Sequence, residues 1–361
     1  MEKMTAEKTT TEEKETQEKV PEKTVEADSP KPPKKKKDPR EKLYKPEHRL
    51  FVLNSSPHDF KTASVPRIMW SVIAALVPAT AMGIYYFGLS AVWLILACVV
   101  ACLVTEVLVN LIKGQKPSIK DGSAAITGLL LALTLPPTLS ITSAILGSIF
   151  AIAIGKQVFG GLGYNIFNPA LIGRAFLQAS FPVAMTTWQL PFIGFDGISA
   201  ATPLGQFKFE KISTPILPLL TGNSGGSLGE TCAIAILIGG LYLLIKKFAD
   251  WRIPLSYLGS VFILGGLLWL IDPASYPDPV FLLFSGGLML GAFFMATDMV
   301  TSPITPTGAW IFGIGAGILV IVIRFFGGLP EGVMYSILLM NAVTPLINRY
   351  TRPKFLGEVR K

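Results

Sequence analysis

The residues with the clearest chemical pattern lie at 196–204, where the chain reads Asp-Gly-Ile-Ser-Ala-Ala-Thr-Pro-Leu between two long apolar blocks. Asp196 supplies a carboxylate, and Ser199 and Thr202 supply hydroxyl groups. Taken alone, the stretch is typical of a turn, because its glycine permits unusual backbone angles, Asp196 accepts backbone hydrogen bonds and the proline stiffens the exit. The apolar blocks on either side predict that this polar loop is presented by a membrane-embedded scaffold.

Elsewhere, the residue types argue against hydrolysis, acyl transfer and metal binding. Cys98 and Cys102 lie four residues apart in an apolar segment and Cys232 is distant, whereas a thiolate cluster normally needs four ligands. Both histidines, His48 and His58, precede the first apolar segment. No Ser-His-Asp, Cys-His or metal-ligand set emerges, so we expect neither a catalytic residue nor a metal site in this chain.

The composition indicates a membrane protein. Half of the 361 residues are hydrophobic, 16% are charged and the mean hydropathy is +0.51. Residues 1–50 hold 12 of the 24 acidic and 14 of the 32 basic residues, which leaves 12 acids and 18 bases for the other 311. The membrane part is therefore poorer in charge than the average indicates.

We expect residues 1–55 to form a disordered, charged cytoplasmic tail. The tail has no apolar signal segment, and its Glu-, Lys- and Thr-rich start buries too little surface to offset chain entropy. Its basic part, 31–45, is either solvated or in contact with anionic lipid at about 1 kcal/mol per charge. Both readings are favoured over nucleic acid because the run precedes a membrane domain. Residues 351–361 form a basic cytoplasmic C-terminus.

About ten transmembrane helices are predicted from ten apolar runs. The runs lie at 66–87, 89–112, 123–135, 139–155, 168–181, 229–245, 254–271, 279–297, 309–326 and 332–347. A full span needs about 20 residues, so the runs at 123–135 and 168–181 must be broken or tilted. Interrupted segments of this kind usually line a site rather than face lipid.

Charge bias orients the segments. With both termini cytoplasmic, one side receives most basic residues, namely Lys113, Lys116, Lys120, Lys156, Lys246, Lys247, Arg252, Arg349, Arg352 and Lys354. Lys208, Lys211 and Arg324 are exceptions, and Arg174 lies within a segment. Because most of the basic residues lie on the cytoplasmic side, we expect the connector that contains Thr202 to lie outside the cytoplasm.

The two halves repeat each other at an offset of 167 residues. Phe-Gly-Gly-Leu at 159–162 recurs at 326–329, and Thr134, Pro136 and Thr138 fall on Thr301, Pro303 and Thr305. Five helices per unit is an odd number, so the second unit would be inverted in the membrane. We therefore expect an all-α polytopic membrane protein with two inverted five-helix repeats containing broken helices. The first repeat covers 56–181, an extracytoplasmic connector 182–228 and the second repeat 229–350.

Four polar groups fall at membrane depth, each with a structural alternative. The segment 121–128 either caps a packed, broken helix or contributes to binding. Asp298 is either a helix cap or a functional intramembrane carboxylate. Asn165 and Asn168 have the spacing to bind both edges of a flavin ring, or Asn168 simply caps the next helix. Arg174 either snorkels, pairs with a carboxylate or holds an anionic reduced flavin.

Residues 56–58, 121–137, 160–174, 196–204 and 296–306 resemble, in order, the D subunits of Rnf-type ion-translocating ferredoxin:NAD oxidoreductases. That family is homologous to the B subunit of the sodium-pumping NADH:quinone reductase. The pattern of Asp196, Ser199, Ala201 and Thr202 resembles the signal of the flavin transferase that links FMN to threonine by a phosphoester. The resemblance implies covalent FMN on Thr202 and a second, noncovalent flavin, riboflavin or FMN. Asn165, Asn168 and Arg174 are the candidates for that second site.

The resemblance further implies a membrane flavoprotein subunit that is not catalytic on its own. It would pass electrons within a complex that couples ferredoxin:NAD oxidoreduction to Na⁺ or H⁺ transport. Our own hypothesis is that helix ends and carboxylates such as Asp298 line the ion path. The implied partners are the lipid bilayer, a flavin transferase, a second flavinylated subunit and iron–sulfur subunits. The implied location is the cytoplasmic (inner) membrane, and the tail before residue 50 is longer than the family leads us to expect.

Two other functions fit the helix pattern. Inverted five-helix repeats with broken helices are also the design of urea-channel-like proteins, and such a channel has no need for the 196–202 motif. A structural anchor for redox partners would contain the loop but carry no flavin there.

Overall fold

The computed structural model describes residues 64–115, 118–192, 199–230 and 232–353. The expected tail at 1–55, the end of the chain from 354 onward and Asp196 of the motif lie outside the described residues.

Within the described ranges the chain is almost entirely helical. The α-helices are α1 (Val65–Phe87), α2 (Leu89–Ile112), α3 (Ser123–Leu133), α4 (Ile141–Ile152), α5 (Pro169–Ser180), α6 (Pro182–Thr186), α7 (Pro203–Glu210), α8 (Ile216–Thr221), α9 (Ala233–Ile245), α10 (Arg252–Ile271), α11 (Pro279–Phe284), α12 (Leu288–Leu290), α13 (Pro306–Phe326) and α14 (Val333–Tyr350). A 3₁₀ turn precedes α3 (Ile119–Asp121), and π-helical turns extend α4 (Ala153–Gln157) and α12 (Gly291–Met295). Two short strands, β1 (Trp188–Gln189) and β2 (Ser199–Ala200), pair antiparallel. Helical structure occurs within all ten predicted apolar runs.

Four of these helices are long and apolar enough to cross a membrane, namely α1, α2, α10 and α13. Shorter apolar helices lie at 123–133, 141–157 and 233–245. The chain is therefore an all-α, multi-pass membrane protein with both long and short apolar helices.

The short helix α3 ends inside the protein, where its free carbonyl groups need partners. The segment before α9 supplies them: the Gly229 N–H donates to Leu133 O at 2.7 Å and the Leu228 N–H donates to Leu135 O at 3.2 Å. A Cβ at position 229 would lie 2.7 Å from the Cβ of Leu133. Glycine is thus required for this close contact, which joins the first half of the chain to the second.

Small residues also allow close helix packing within each half. In the first half, a Cβ on Gly128 of α3 would lie 2.7 Å from the Val99 Cα of α2. In the second half, α10 packs against α13, where a Cβ on Gly317 would lie 1.7 Å from the Ser260 Oγ. Close approach at small residues is a general way to associate helices in membranes, where lipid offers no hydrophobic driving force. The glycine at 128 therefore accommodates the α2 backbone.

One continuous apolar core contains residues of both halves. Leu131 and Leu133 of α3 and Leu290 and Phe294 of the second half belong to the same cluster of buried side chains. Polar groups enclosed between the halves are consequently shielded from water. Two cavities form there, at opposite ends of α3.

Candidate functional site

The outer cavity lies where the connector covers the C-terminal end of α3. Its volume is about 310 Å³. The lining residues with functional groups or aromatic rings include Thr134, Arg174, Trp188, Thr202, Glu331 and Tyr335. A cavity of this size lies at the lower end of the range for small-molecule and cofactor sites.

Thr202 begins helix α7 inside this cavity. Its Oγ1 accepts a hydrogen bond from the Gly205 N–H at 3.1 Å, as an N-terminal cap does, and Pro203 occupies the first helical position. The side chain is buried, with 3% of its surface exposed. Helix N-termini favour anions because their N–H groups lack partners. A phosphate ester on Thr202 would therefore have its negative charge at a favourable place.

A short ladder and an aromatic cluster hold the connector in position. In β1 and β2, Trp188 pairs with Ala200 and Gln189 with Ser199. The Phe192 N–H donates to the Tyr86 carbonyl at 3.0 Å at the end of α1, and their rings make an edge contact at 5.1 Å. Ser199 therefore lies in the ladder, Ala201 and Thr202 follow it into the cavity, and Asp196 precedes it outside the described residues.

The charged group of the outer cavity is an ion pair between Arg174 and Glu331. The Arg174 guanidinium donates to the Thr134 carbonyl at 2.7 Å, at the end of α3, and to the Glu331 carboxylate. The side chains are 9% and 20% exposed. Because Arg174 completes a helix C-terminus and pairs with a carboxylate, its charge is held firmly at the cavity wall.

The outer cavity thus contains a hydroxyl at a helix N-terminus, a fixed guanidinium and three aromatic side chains, those of Trp188, Phe209 and Tyr335. These groups match the parts of FMN, which are a phosphate, a polar ribityl chain and a planar ring with carbonyl groups. The ring has aromatic surfaces against which to pack and cationic N–H donors for its oxygens. The residues present therefore fit FMN.

The inner cavity lies at the N-terminal ends of α3 and α5. Its volume is about 90 Å³. The polar residues that line it include Ser123, Thr127, Lys156, Asn165, Asn168 and Asp298. This volume is smaller than that of the outer cavity, and the hydroxyl, ammonium and amide groups of the lining are hydrogen-bonding partners for the polar edge of a flavin ring.

Asn165 and Asn168, predicted as a pair, line the inner cavity together. Asn168 also caps α5, since its Oδ1 accepts from the Ala170 N–H at 3.0 Å, and its Nδ2 donates to the Met295 carbonyl at 3.2 Å. The Asn165 Nδ2 donates to the Phe167 carbonyl at 3.1 Å. The cap and the cavity-lining position are therefore compatible for Asn168. Arg174 belongs to the outer cavity, so the structure does not group it with the two amides.

Asp298 also lines the inner cavity. Its Oδ2 accepts from the Thr301 Oγ1 at 3.2 Å, and its Oδ1 lies 3.5 Å from the Val300 N–H. These bonds organise the turn that follows the π-helical segment Gly291–Met295. The carboxylate is thus both a turn residue and part of the cavity wall.

Sequence reasoning missed an ion pair beside this cavity. The Lys156 ammonium lies 2.7 Å from the Glu106 Oε1, and both side chains are 2% exposed. The charge bias predicts Lys156 among the cytoplasmic basic residues, but the structure buries it. The signal was available at Glu106, which is a single carboxylate in the apolar run 89–112 and hence a functional candidate by the same rule that marked Asp298.

The cysteines do not form a cluster. Cys98, Cys102 and Cys232 are free thiols and buried. Among the described residues, no group of three or more His, Cys, Asp or Glu side chains has the arrangement of a metal site.

A helical bundle with broken helices and two polar cavities between its halves defines a multi-pass membrane protein with enclosed internal sites. The chain belongs to the NQR2, RnfD, RnfE family, which it matches over residues 52–357.

Several relatives are similar along most of their length. The chain is 47% identical over 325 residues to the D subunit of the proton-translocating ferredoxin:NAD(+) oxidoreductase complex of Clostridium ljungdahlii, covering 86% of this chain and 97% of that protein. It is 46% identical over 315 residues to the D subunit of the Na(+)-translocating ferredoxin:NAD(+) oxidoreductase complex of Acetobacterium woodii, covering 86% and 96%. It is 39% identical over 350 residues to the D subunit of the ion-translocating oxidoreductase complex of Escherichia coli, covering 86% and 99%.

Proposed function

We propose that this chain is the D subunit of an ion-translocating ferredoxin:NAD oxidoreductase complex and carries FMN covalently on Thr202. The observation that carries this proposal is the position of Thr202, whose hydroxyl lies at a helix N-terminus inside a cavity lined by Arg174 and aromatic side chains. The names of the relatives support the complex. They do not select the ion, since relatives of nearly equal identity are named for protons and for sodium.

In this function the bound flavin supplies the electron-carrying chemistry, and the chain supplies position and electrostatics. The N-terminus of α7 stabilises the phosphoester charge, and Arg174 stabilises negative charge at the cavity wall. The buried site excludes water. Because Thr202 is enclosed, its attachment by a flavin transferase requires the connector to open, which costs the few hydrogen bonds of the β1–β2 ladder.

We also propose that a second flavin, riboflavin or FMN, binds noncovalently in the inner cavity. Asn165 and Asn168 supply amide groups there. Because Thr202 of the flavinylation motif lies in the outer cavity, the flavin of the inner cavity would be bound without a covalent link. Helix α5 links the two sites, with Asn168 at its start and Arg174 six residues later. At 1.5 Å per residue this is about 9 Å along the helix axis, a short path for electrons that pass between the flavins and partner subunits.

For the membrane topology, we propose about ten spans in two inverted repeats. The cavities support this arrangement, since Leu162 of the first Phe-Gly-Gly-Leu copy lines the inner cavity and Leu329 of the second copy lines the outer one. Helices α5 and α14 also meet at a pair of asparagines, Asn168 and Asn341. With its amide oriented to satisfy both neighbours, the Asn341 side-chain oxygen accepts from the Asn168 N–H at 3.2 Å.

We further propose that the chain lies in the cytoplasmic membrane with both termini in the cytoplasm and Thr202 outside it, which the distribution of the remaining basic residues supports. In that orientation, the outer cavity faces partners on the extracytoplasmic side, such as a second flavinylated subunit. The inner cavity faces the cytoplasmic side, where it is accessible to other partner subunits. Lys156 contributes nothing to this orientation because it is buried.

We place Asp298 on the ion path, since it is a carboxylate at the end of a broken helix within the inner cavity. Asp298→Asn is nearly isosteric and is expected to abolish ion transport by the whole complex while both flavins remain bound. The measurement is ion flux into vesicles that contain the purified complex. Unchanged flux in this variant would remove Asp298 from the path.

In-gel flavin fluorescence of the denatured chain, expressed with its flavin transferase, tests the covalent attachment. Wild type is expected to fluoresce and Thr202→Ala to be dark, while Thr187→Ala, a control in the same connector, stays fluorescent. A dark wild-type band would instead favour a urea-channel-like solute channel or a structural anchor without a redox role. Solute flux in liposomes would then distinguish those two.

A further inference from the structure

The buried ion pair beside the inner cavity is poorly explained by stability alone. The Lys156 Nζ lies 2.7 Å from the Glu106 Oε1 and 2.6 Å from the Ser123 Oγ. Burying two charges carries a large desolvation cost, and apolar replacements for such pairs are often neutral or stabilising. The position of this pair at a cavity therefore calls for a functional explanation.

The pair retains unused hydrogen-bonding capacity within the part of the chain that the structure describes. An ammonium group has three N–H donors, and two of them reach Glu106 and Ser123. The Glu106 Oε1 also accepts from the Ser118 Oγ at 2.7 Å, whereas its Oε2 is buried and has no hydrogen-bond partner among the described residues. One N–H donor of Lys156 is thus available at the wall of the cavity that it lines.

The backbone geometry keeps Lys156 close to the two amides. Lys156 belongs to the π-helical turn Ala153–Gln157, and such turns inside α-helices occur frequently at functional sites. A Cβ on Gly155 would lie 3.1 Å from the Pro169 Cα, so this turn packs directly on the start of α5. Lys156 and Asn168 are therefore held at the same wall by one tight backbone contact.

We propose that Lys156 is a flavin-binding residue of the inner cavity, where its ammonium binds the carbonyl-bearing edge of the ring beside Asn165 and Asn168. Glu106 offsets part of the ammonium charge and so sets the positive potential that the ring meets. The inference rests on the proposed noncovalent flavin. Charge near the ring tunes flavin potential, and a positive charge favours the reduced flavin because reduction adds electron density.

Two variants of the full chain with opposite effects test this role. Lys156→Met removes the positive charge, and Glu106→Gln leaves that charge less compensated. Spectroelectrochemistry of the noncovalent flavin should give a lower midpoint potential in Lys156→Met and a higher one in Glu106→Gln. Lys156→Met should also release several-fold less flavin on denaturation, while its in-gel covalent fluorescence matches that of wild type.

Lys156→Arg keeps the charge and should retain the flavin and a potential near that of wild type, even if Lys156→Met does not assemble. Potentials that move in the same direction in Lys156→Met and Glu106→Gln, or an unchanged potential in both, would overturn the proposal. Loss of flavin in Lys156→Arg equal to that in Lys156→Met would do so as well. A wild-type chain that releases no flavin at all would instead refute the proposed second flavin, and this inference would fall with it.

Discussion

The two cavities are built from different parts of the chain. The outer cavity is covered by the connector, which brings a hydroxyl, a helix N-terminus and aromatic side chains to the end of α3. The inner cavity is enclosed by helix ends and turns of the bundle, and its wall carries amides and an ammonium group. Each cavity has one buried cation paired with a carboxylate, Arg174 with Glu331 and Lys156 with Glu106.

This difference explains why one site would need a covalent bond and the other would not. A connector held by a two-residue ladder and a few contacts opens more easily than a packed bundle. A ligand under such a cover is retained best by a covalent link, which the Thr202 hydroxyl would provide in the proposed function. A ligand between packed helix ends is retained by its fit and by polar contacts that need no covalent chemistry.

Removal of the outer cation should have the largest effect on stability. Arg174→Met leaves the Glu331 carboxylate without its partner and the Thr134 carbonyl without its donor, and we expect a loss of about 3 kcal/mol. Thermal unfolding of the purified chain measures this loss. The double variant Arg174→Met/Glu331→Gln should recover most of it, because no unpaired charge remains. A single variant as stable as wild type would show that the pair does not support the outer cavity.

Disruption of the contact between the two halves should have the second-largest effect on stability. Gly229→Ala places a Cβ 2.7 Å from the Leu133 Cβ and pushes the Leu133 carbonyl away from the Gly229 N–H, at an expected cost of about 2 kcal/mol. The control is Gly259→Ala in α10, where an added Cβ meets nothing within 4 Å. Thermal unfolding should show a loss only at position 229. Equal stability of both variants would contradict the close packing of the halves.

The two amides of the inner cavity should differ from each other. Asn168→Ala removes the cap of α5 and is expected to cost about 1 kcal/mol, whereas Asn165→Ala loses only a local bond and should unfold close to the wild-type temperature. Both variants should release less noncovalent flavin on denaturation, as measured by chromatography of the supernatant. Asn168→Ser keeps a capping oxygen and should restore the part of the stability that the cap contributes. A stable Asn168→Ala variant would exclude the capping role.

Much of the fold was accessible from sequence because apolar periodicity and helix caps are local signals. Helical structure occurs within all ten apolar runs, and the Asn168-Pro169 cap starts α5 as expected. The start of a helix directly after Thr202 was not predicted, since Pro203 was assigned to the exit of a turn. A proline suits both the exit of a turn and the first position of a helix, so the residue type did not distinguish them.

Which residues line each cavity was harder to predict, because the answer depends on contacts between residues that are distant in sequence. Arg174 lies six residues after Asn168, which suggested a common site, but six residues turn and advance a helix enough to reach the opposite end of α3. Glu331, which pairs with Arg174, is 157 positions away in sequence, and no local sequence pattern predicts that contact. Glu106, in contrast, could have been identified from the sequence. A single carboxylate in an apolar segment is a local signal of a functional residue, and it applies to Glu106 as well as to Asp298.

The distribution of flavin between the denatured chain and the supernatant tests the central claim most directly. The full chain, expressed with its flavin transferase and purified, should retain flavin covalently and also release some on denaturation. Thr202→Ala should lose only the retained fraction, and the Asn165→Ala/Asn168→Ala double variant only the released fraction. Covalent flavin that persists in Thr202→Ala, or both fractions lost together in a folded variant of either kind, would contradict two separate flavin sites.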